Sequence, residues 1–135
     1  MIFSASAIHA LRAMAWLATN PGREPVLGRD LARKIAVPPD YLSKVLATLA
    51  RSGVLTASRG AKGGYRLARS ASRIKLLEVV EPFEGVRAQA SCLLRPGKSC
   101  RASGACAAHE AWSGVNEAYR GFLENMTVED IRDHP

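Results

Sequence analysis

The chain has 135 residues, 47% of them hydrophobic and 23% charged, enough for one modest core and too few for two ordinary domains. Its 19 Lys and Arg against 12 Asp and Glu leave a formal charge of +7, which points to a polyanionic partner more readily than to an acid-seeking enzyme. The opening stretch lacks a basic head and is interrupted by Arg12, so neither a signal peptide nor a membrane span is expected.

The surplus charge is unevenly placed. Residues 1–90 carry 14 basic and 6 acidic side chains, a balance of +8, whereas residues 91–135 carry 5 and 6, a balance of −1. Between Asp40 and Glu78 no acidic residue occurs, while Lys44, Arg51, Arg59, Lys62, Arg66, Arg69, Arg73 and Lys75 are basic.

In chain order, Ser4 can cap a helix with Ile8, Leu11, Met14, Ala15 and Leu17 at helical spacing, stopped by Asn20-Pro21-Gly22. A second helix fits Gly28–Ile35, with Leu31 and Ile35 inward and Arg29, Arg33 and Lys34 outward. Ala36-Val37-Pro38-Pro39 ends it, because proline cannot continue the ladder. Pro39 suits the first position of a third helix running to about Ser52, with Leu42, Val45, Leu46 and Leu49 as its apolar stripe. Val54–Ala57 and Tyr65–Ala68 read as strands of a hairpin with a glycine-rich, basic tip. Ile74–Pro82 reads as a further helix, Ala105–Asn125 as a long one, and Val128–Arg132 as a final turn capped by Thr127.

Helix, proline-bearing turn, helix and basic hairpin are the order of a winged helix-turn-helix. The fold expected is mainly helical with one small β-hairpin. The third helix would enter the major groove with Tyr41, Ser43, Lys44, Thr48 and Arg51 outward, and double-stranded DNA becomes the expected partner. On the hairpin tip, Arg59, Gly60 and Lys62 would approach the backbone or a narrow minor groove. The glycines alone are weak signals, and their spacing is not that of a phosphate-cradling loop.

Three cysteines, Cys92, Cys100 and Cys106, lie close together with His109, suiting a reduced, cytoplasmic compartment and a site more than a disulfide framework. On the long helix the offset of three would put Cys106 and His109 on one face. With no Cys-x-x-Cys pair, a zinc ribbon fits poorly. Three thiolates and an imidazole suit an iron–sulfur cluster, zinc with the same ligands remains chemically feasible, and each cysteine alone could be a small buried hydrophobe.

Taken together, the residues resemble the winged-helix iron–sulfur and redox regulators that include IscR, NsrR, RirA and CymR. The resemblance rests on Ala10-Leu11-Arg12-Ala13-Met14, on Tyr41-Leu42, and on the wing Arg59-Gly60-Ala61-Lys62-Gly63-Gly64-Tyr65. The cysteine triplet, His109 with Trp112, and Gly121-Phe122-Leu123-Glu124-Asn125-Met126-Thr127 strengthen it.

The resemblance implies a homodimeric regulator, in the manner of a repressor, on a near-palindromic operator, with Ala105–Asn125 as the dimerisation helix. It implies that Cys92, Cys100, Cys106 and His109 hold a 2Fe-2S cluster, with 4Fe-4S as the variant. Position 8, where the nitric-oxide-sensing branch has an acidic ligand, is Ile8, which argues against the 4Fe-4S form; His9 stands nearby as a reserve ligand. The first cysteine interval is two residues longer than usual in the family.

The division of labour expected is a DNA-binding part in residues 1–82, a cluster loop in 83–104 and a dimerisation part in 105–135. A cluster-free thiol sensor or a co-repressor-docking regulator, as in the CymR branch, is the alternative. An enzyme or electron carrier would leave the wing unexplained.

Overall fold

The computed structural model describes residues 3–22, 24–85, 92–95, 98 and 106–132. The chain forms α1 (Ala5–Thr19), α2 (Gly28–Ile35), α3 (Pro39–Arg51), β1 (Leu55–Ser58), β2 (Gly64–Leu67), a 3-10 turn at Ala71–Arg73, α4 (Leu76–Glu84), α5 (His109–Asn125) and α6 (Val128–Ile131). It is a mainly helical winged-helix fold with a two-stranded antiparallel hairpin and a long C-terminal helix.

Helix α1 starts as its sequence dictates: Ser4 Oγ accepts the Ala7 N–H at 3.2 Å. Its buried face is Ala7, Ala10, Ala13, Met14, Leu17 and Ala18, whereas Ile8, Leu11 and Ala15, expected inside, are only half-buried. The alanines decide this. Having almost no side chain, they let α2, α3, α4 and α6 all approach α1, and no larger face could be crowded from so many sides.

Between α2 and α3 lies the turn Ala36-Val37-Pro38, with Ala36 left-handed at φ 56°. Val37 plugs it into the core at 4% exposure, and Val37 N–H donates to Ala32 O at 2.9 Å. Leu42, Val45, Leu46 and Leu49 of α3 are buried, as their spacing requires.

The hairpin pairs Leu55 with Leu67 through Ser58 with Gly64, so both strands sit one residue nearer the tip than expected. Its root is tied to the segment before α2: Val26 N–H donates to Tyr65 O at 2.9 Å and Tyr65 N–H to Val26 O at 2.8 Å.

Helix α4 begins two residues later than Ile74, after an unforeseen 3-10 turn too short to show periodicity, and runs past Pro82 to Glu84. Pro82 forfeits only one ladder bond, near the helix end. Gly85 at φ 60° then closes it, its N–H donating to Glu81 O at 3.0 Å.

The C-terminal residues return to the same core. Leu76 N–H donates to Met126 O and Val128 N–H to Ile74 O, each at 2.9 Å, which clamps both ends of the excursion through α4 and α5. Helix α6 is capped at Thr127, whose N–H donates to Asp130 Oδ2 at 2.8 Å. That bond and the Thr127 hydroxyl hold the Asp130 carboxyl below the usual carboxylate range.

Leu123 and Val128 are fully buried in one cluster with Met14, Leu46 and Val80. The residues expected to read DNA and those expected to dimerise therefore share a single core. Leu123→Ala is expected to cost about 2–5 kcal/mol of stability, read as an earlier midpoint in one cooperative urea transition; a change below about 0.5 kcal/mol would place α5 outside the core.

Candidate nucleic-acid interface and thiol segment

The outward face of α3 is polar and largely unshielded: Tyr41, Ser43, Lys44 and Arg51 are exposed and Thr48 half-buried. Three of these side chains, Tyr41, Thr48 and Arg51, are already engaged. Thr48 Oγ1 donates to Lys44 O at 3.0 Å and accepts from Arg51 Nη2 at 3.1 Å. The Tyr41 hydroxyl lies 2.6 Å from Ser6 Oγ of α1. Ser43 and Lys44 are left with open side chains at the front of the helix.

At the wing, Arg59, Gly60, Ala61 and Lys62 form an exposed tip, closed by Gly63 N–H donating to Gly60 O at 2.9 Å. The glycines divide by task. A Cβ on Gly60, at φ +101°, would meet open space, so this position alone leaves room for an approaching backbone. A Cβ on Gly63 would lie 2.4 Å from Ser58 O, and one on Gly64, at φ +139°, 2.3 Å from Val26 O. Gly63 and Gly64 are buried and serve the wing's own construction. Gly60, expected from the sequence to approach DNA, keeps that room, whereas the Val26–Tyr65 pairing has no signal in the sequence beyond Gly63-Gly64 beside Tyr65.

Arg69 is bound to Glu78 and donates to Arg73 O at 3.0 Å, so part of the acid-free stretch is spent internally. Arg59 and Lys62 carry their charge at the tip.

In the thiol segment, Cys92 pairs with Arg95 in a short turn, with Cys92 N–H donating to Lys98 O at 2.8 Å. Leu93 and Leu94 beside it are 49% and 75% exposed. Cys100 and Ala105 lie outside the described residues, as does most of 83–104.

Cys106 is exposed and precedes α5, which begins at His109 rather than Ala105. Cys106 and His109 are therefore not on one helical face as expected. A turn joins them, His109 N–H donating to Cys106 O at 3.0 Å. Among the described residues, His109 Nδ1 is the buried side-chain polar atom with no hydrogen-bond partner, and no three His, Cys, Asp or Glu side chains form a metal-binding group.

Helix α5 carries two stripes at spacings of four, three and four. Trp112, Asn116, Tyr119 and Leu123 turn inward and are buried or half-buried. Tyr119 rests against Phe3 at 5.7 Å between ring centroids, and burial, then Glu84 and Glu81, push its hydroxyl pKa up. The other stripe, Ala111, Val115, Ala118 and Phe122, is exposed, Val115 at 57% and Phe122 at 46%. Among the described residues no helix is long and apolar enough to cross a membrane.

Residues 3–134 match the Rrf2 family, described as iron-dependent transcriptional regulators. The chain belongs to the Rrf2 family. It is 31% identical to an HTH-type transcriptional regulator, so named, of Aquifex aeolicus over 97% of this chain and 91% of the relative. It is 28% identical to the regulator IscR of Klebsiella pneumoniae over 91% of this chain and 74% of the relative. The solved structure of CymR, the global cysteine regulator of B. subtilis, superposes with a TM-score of 0.81 at 23% identity, covering 97% of this chain and 95% of that one.

The Rrf2 chain is thus a DNA-binding transcriptional regulator and not an enzyme. Gly64→Ala in this regulator is expected to cost about 3 kcal/mol or more, a steric clash added to the left-handed penalty, and Gly60→Ala only about 1–2 kcal/mol. Thermal unfolding, with amide exchange at Tyr65, measures both; equal costs would mean the wing root is not fixed by Val26.

Proposed function

We propose that this Rrf2 regulator is a homodimeric repressor that reads a near-palindromic operator and answers to redox, iron or nitric oxide status through an iron–sulfur cluster. Ser43, Lys44 and Arg51 of α3 make the major-groove and adjacent phosphate contacts, Thr48 supports them through its bonds to Lys44 and Arg51, and Arg59, Gly60 and Lys62 hold the flanking backbone. The reader in 1–82, the ligand loop in 83–104 and the dimer helix in 105–135 divide the work over one shared core.

The observation that carries the cluster reading is the buried, unpartnered His109 Nδ1 one turn from the exposed Cys106 thiol. A buried nitrogen without a partner is costly unless something pairs with it. An imidazole and soft thiolates are the donor chemistry an iron–sulfur centre accepts, so the donor types fit the group, although among the described residues Cys92, Cys106 and His109 are not gathered into one site. Cys92, Cys100, Cys106 and His109 would hold it, as 2Fe-2S. When bound, the cluster supplies a centre that oxidants and nitric oxide can alter. The protein's own part is to hold Cys106 and His109 at the start of α5, so that rearrangement of these two moves the helix.

The exposed stripe Ala111, Val115, Ala118 and Phe122 supports a second copy as its occupant. Its four-three-four spacing lets the same stripe on two chains interlock.

Anaerobic purification with iron, sulfide and absorbance analysis tests the cluster. The expected result is a coloured protein with equal iron and sulfide, lost in His109→Ala; a colourless, zinc-loaded protein would overturn it. For DNA, Lys62→Ala is expected to lower the slope of log affinity against log salt by about one unit for each wing engaged, and an unchanged slope removes the wing from the interface. Val115→Glu is expected to yield monomers in sedimentation; an intact dimer would redirect the interface elsewhere.

A further inference from the structure

Tyr41 sits in the first turn of α3, at the end offered to DNA, yet its side chain is committed to α1. Its hydroxyl lies 2.6 Å from Ser6 Oγ. Its ring meets His9 edge-on, with centroids 5.5 Å apart and planes at 85°. Three residues on, Arg12 lies with Nη1 3.4 Å from His9 Nδ1 and donates through Nη2 to Ile35 O, the last residue of α2. Ser6, His9 and Arg12 lie along one edge of α1, so the brace spans the α2–α3 turn from the end of one helix to the start of the next. The turn contains the left-handed Ala36.

The apolar stripe of α3 sets how deeply the helix is buried. Burial of apolar surface is non-directional, so the stripe fixes which face of α3 is buried and leaves the fine roll and the pose of its front turn to other contacts. A hydrogen bond and an edge-on ring contact are directional.

We propose that Tyr41 is a positioning residue, fixing the roll of the recognition helix against Ser6, His9 and Arg12 of α1, and that it does not read a base. This rests on α3 being the recognition helix. The brace also shares its footing with the thiol side of the molecule. Phe3 packs on Tyr119 of α5, and Ser4 N–H donates to Glu84 Oε1 at 2.6 Å, so residues 3–6 touch α4 and α5 on one side and α3 on the other.

The test uses the full chain with Tyr41→Phe, Ser6→Ala and the double variant, probed with duplexes selected from a randomised pool. Tyr41→Phe keeps the ring, so folding is preserved. Each single change is expected to weaken binding about three- to tenfold, the net worth of one hydrogen bond. Base preference should be unchanged at every position, and the double variant should bind no worse than either single one. A merely structural role would lower the melting temperature without this coupling.

Relaxed preference at one base pair in Tyr41→Phe, with Ser6→Ala unaffected, would make Tyr41 a base reader and overturn the proposal. So would additive losses, or none. If the wild type selects no duplex, the DNA reading has failed and amide exchange over 36–42 decides. Faster exchange in both variants upholds the brace; unchanged exchange removes it.

Discussion

Everything in this molecule leans on the alanine face of α1. Ala7, Ala10 and Ala13 bury little area each, so their worth is not in transfer free energy but in the closeness they permit. About two turns of small side chains let α3, α4 and α6 reach the same helix, while Met14 and Leu17 fill the volume between them. Close-packed interiors pass displacement on instead of absorbing it. A helix that touches the reader on one side and the C-terminal residues on the other is therefore a common reference for both.

The clamp at Ile74–Leu76 and Met126–Val128 gives that reference a second function. Residues between the two halves of this bridge, including α4 and α5, form one excursion whose two ends are pinned to the core beside α1. Cys92, in its own short turn, and Cys106, just ahead of α5, both lie within that span. Helix α5 is built for such a position: its inner stripe ends in the core at Leu123, and its outer stripe stays open.

Local pattern was enough wherever a residue's job is set by its neighbours in the chain. The cap at Ser4, the proline stop after Val37, the stripe from Leu42 to Leu49 and the cap at Thr127 each follow from backbone chemistry within a few residues. Pattern was insufficient where contact comes from far along the chain. Ile8 and Leu11 have the right spacing for a core, but alanines outrank them because four elements converge there. Cys106 continues the periodicity of α5 yet stands outside it, since periodicity does not show where a helix starts when Ala108 offers no side-chain cap.

The amino-acid sequence by itself determined the class of molecule: helical elements of the right lengths in the right order, a basic stretch free of acids, and thiols segregated from it. These are properties of composition and short-range order. Only the tertiary structure decided which polar groups remain available, because hydrogen bonding between distant elements consumes them. It gave Tyr41 to Ser6 and Arg69 to Glu78, left Ser43, Lys44 and the wing cations facing outward, and buried His109 Nδ1 without a partner. The charge surplus that marks the chain as a partner for a polyanion is thereby narrowed to the few cations that folding does not use.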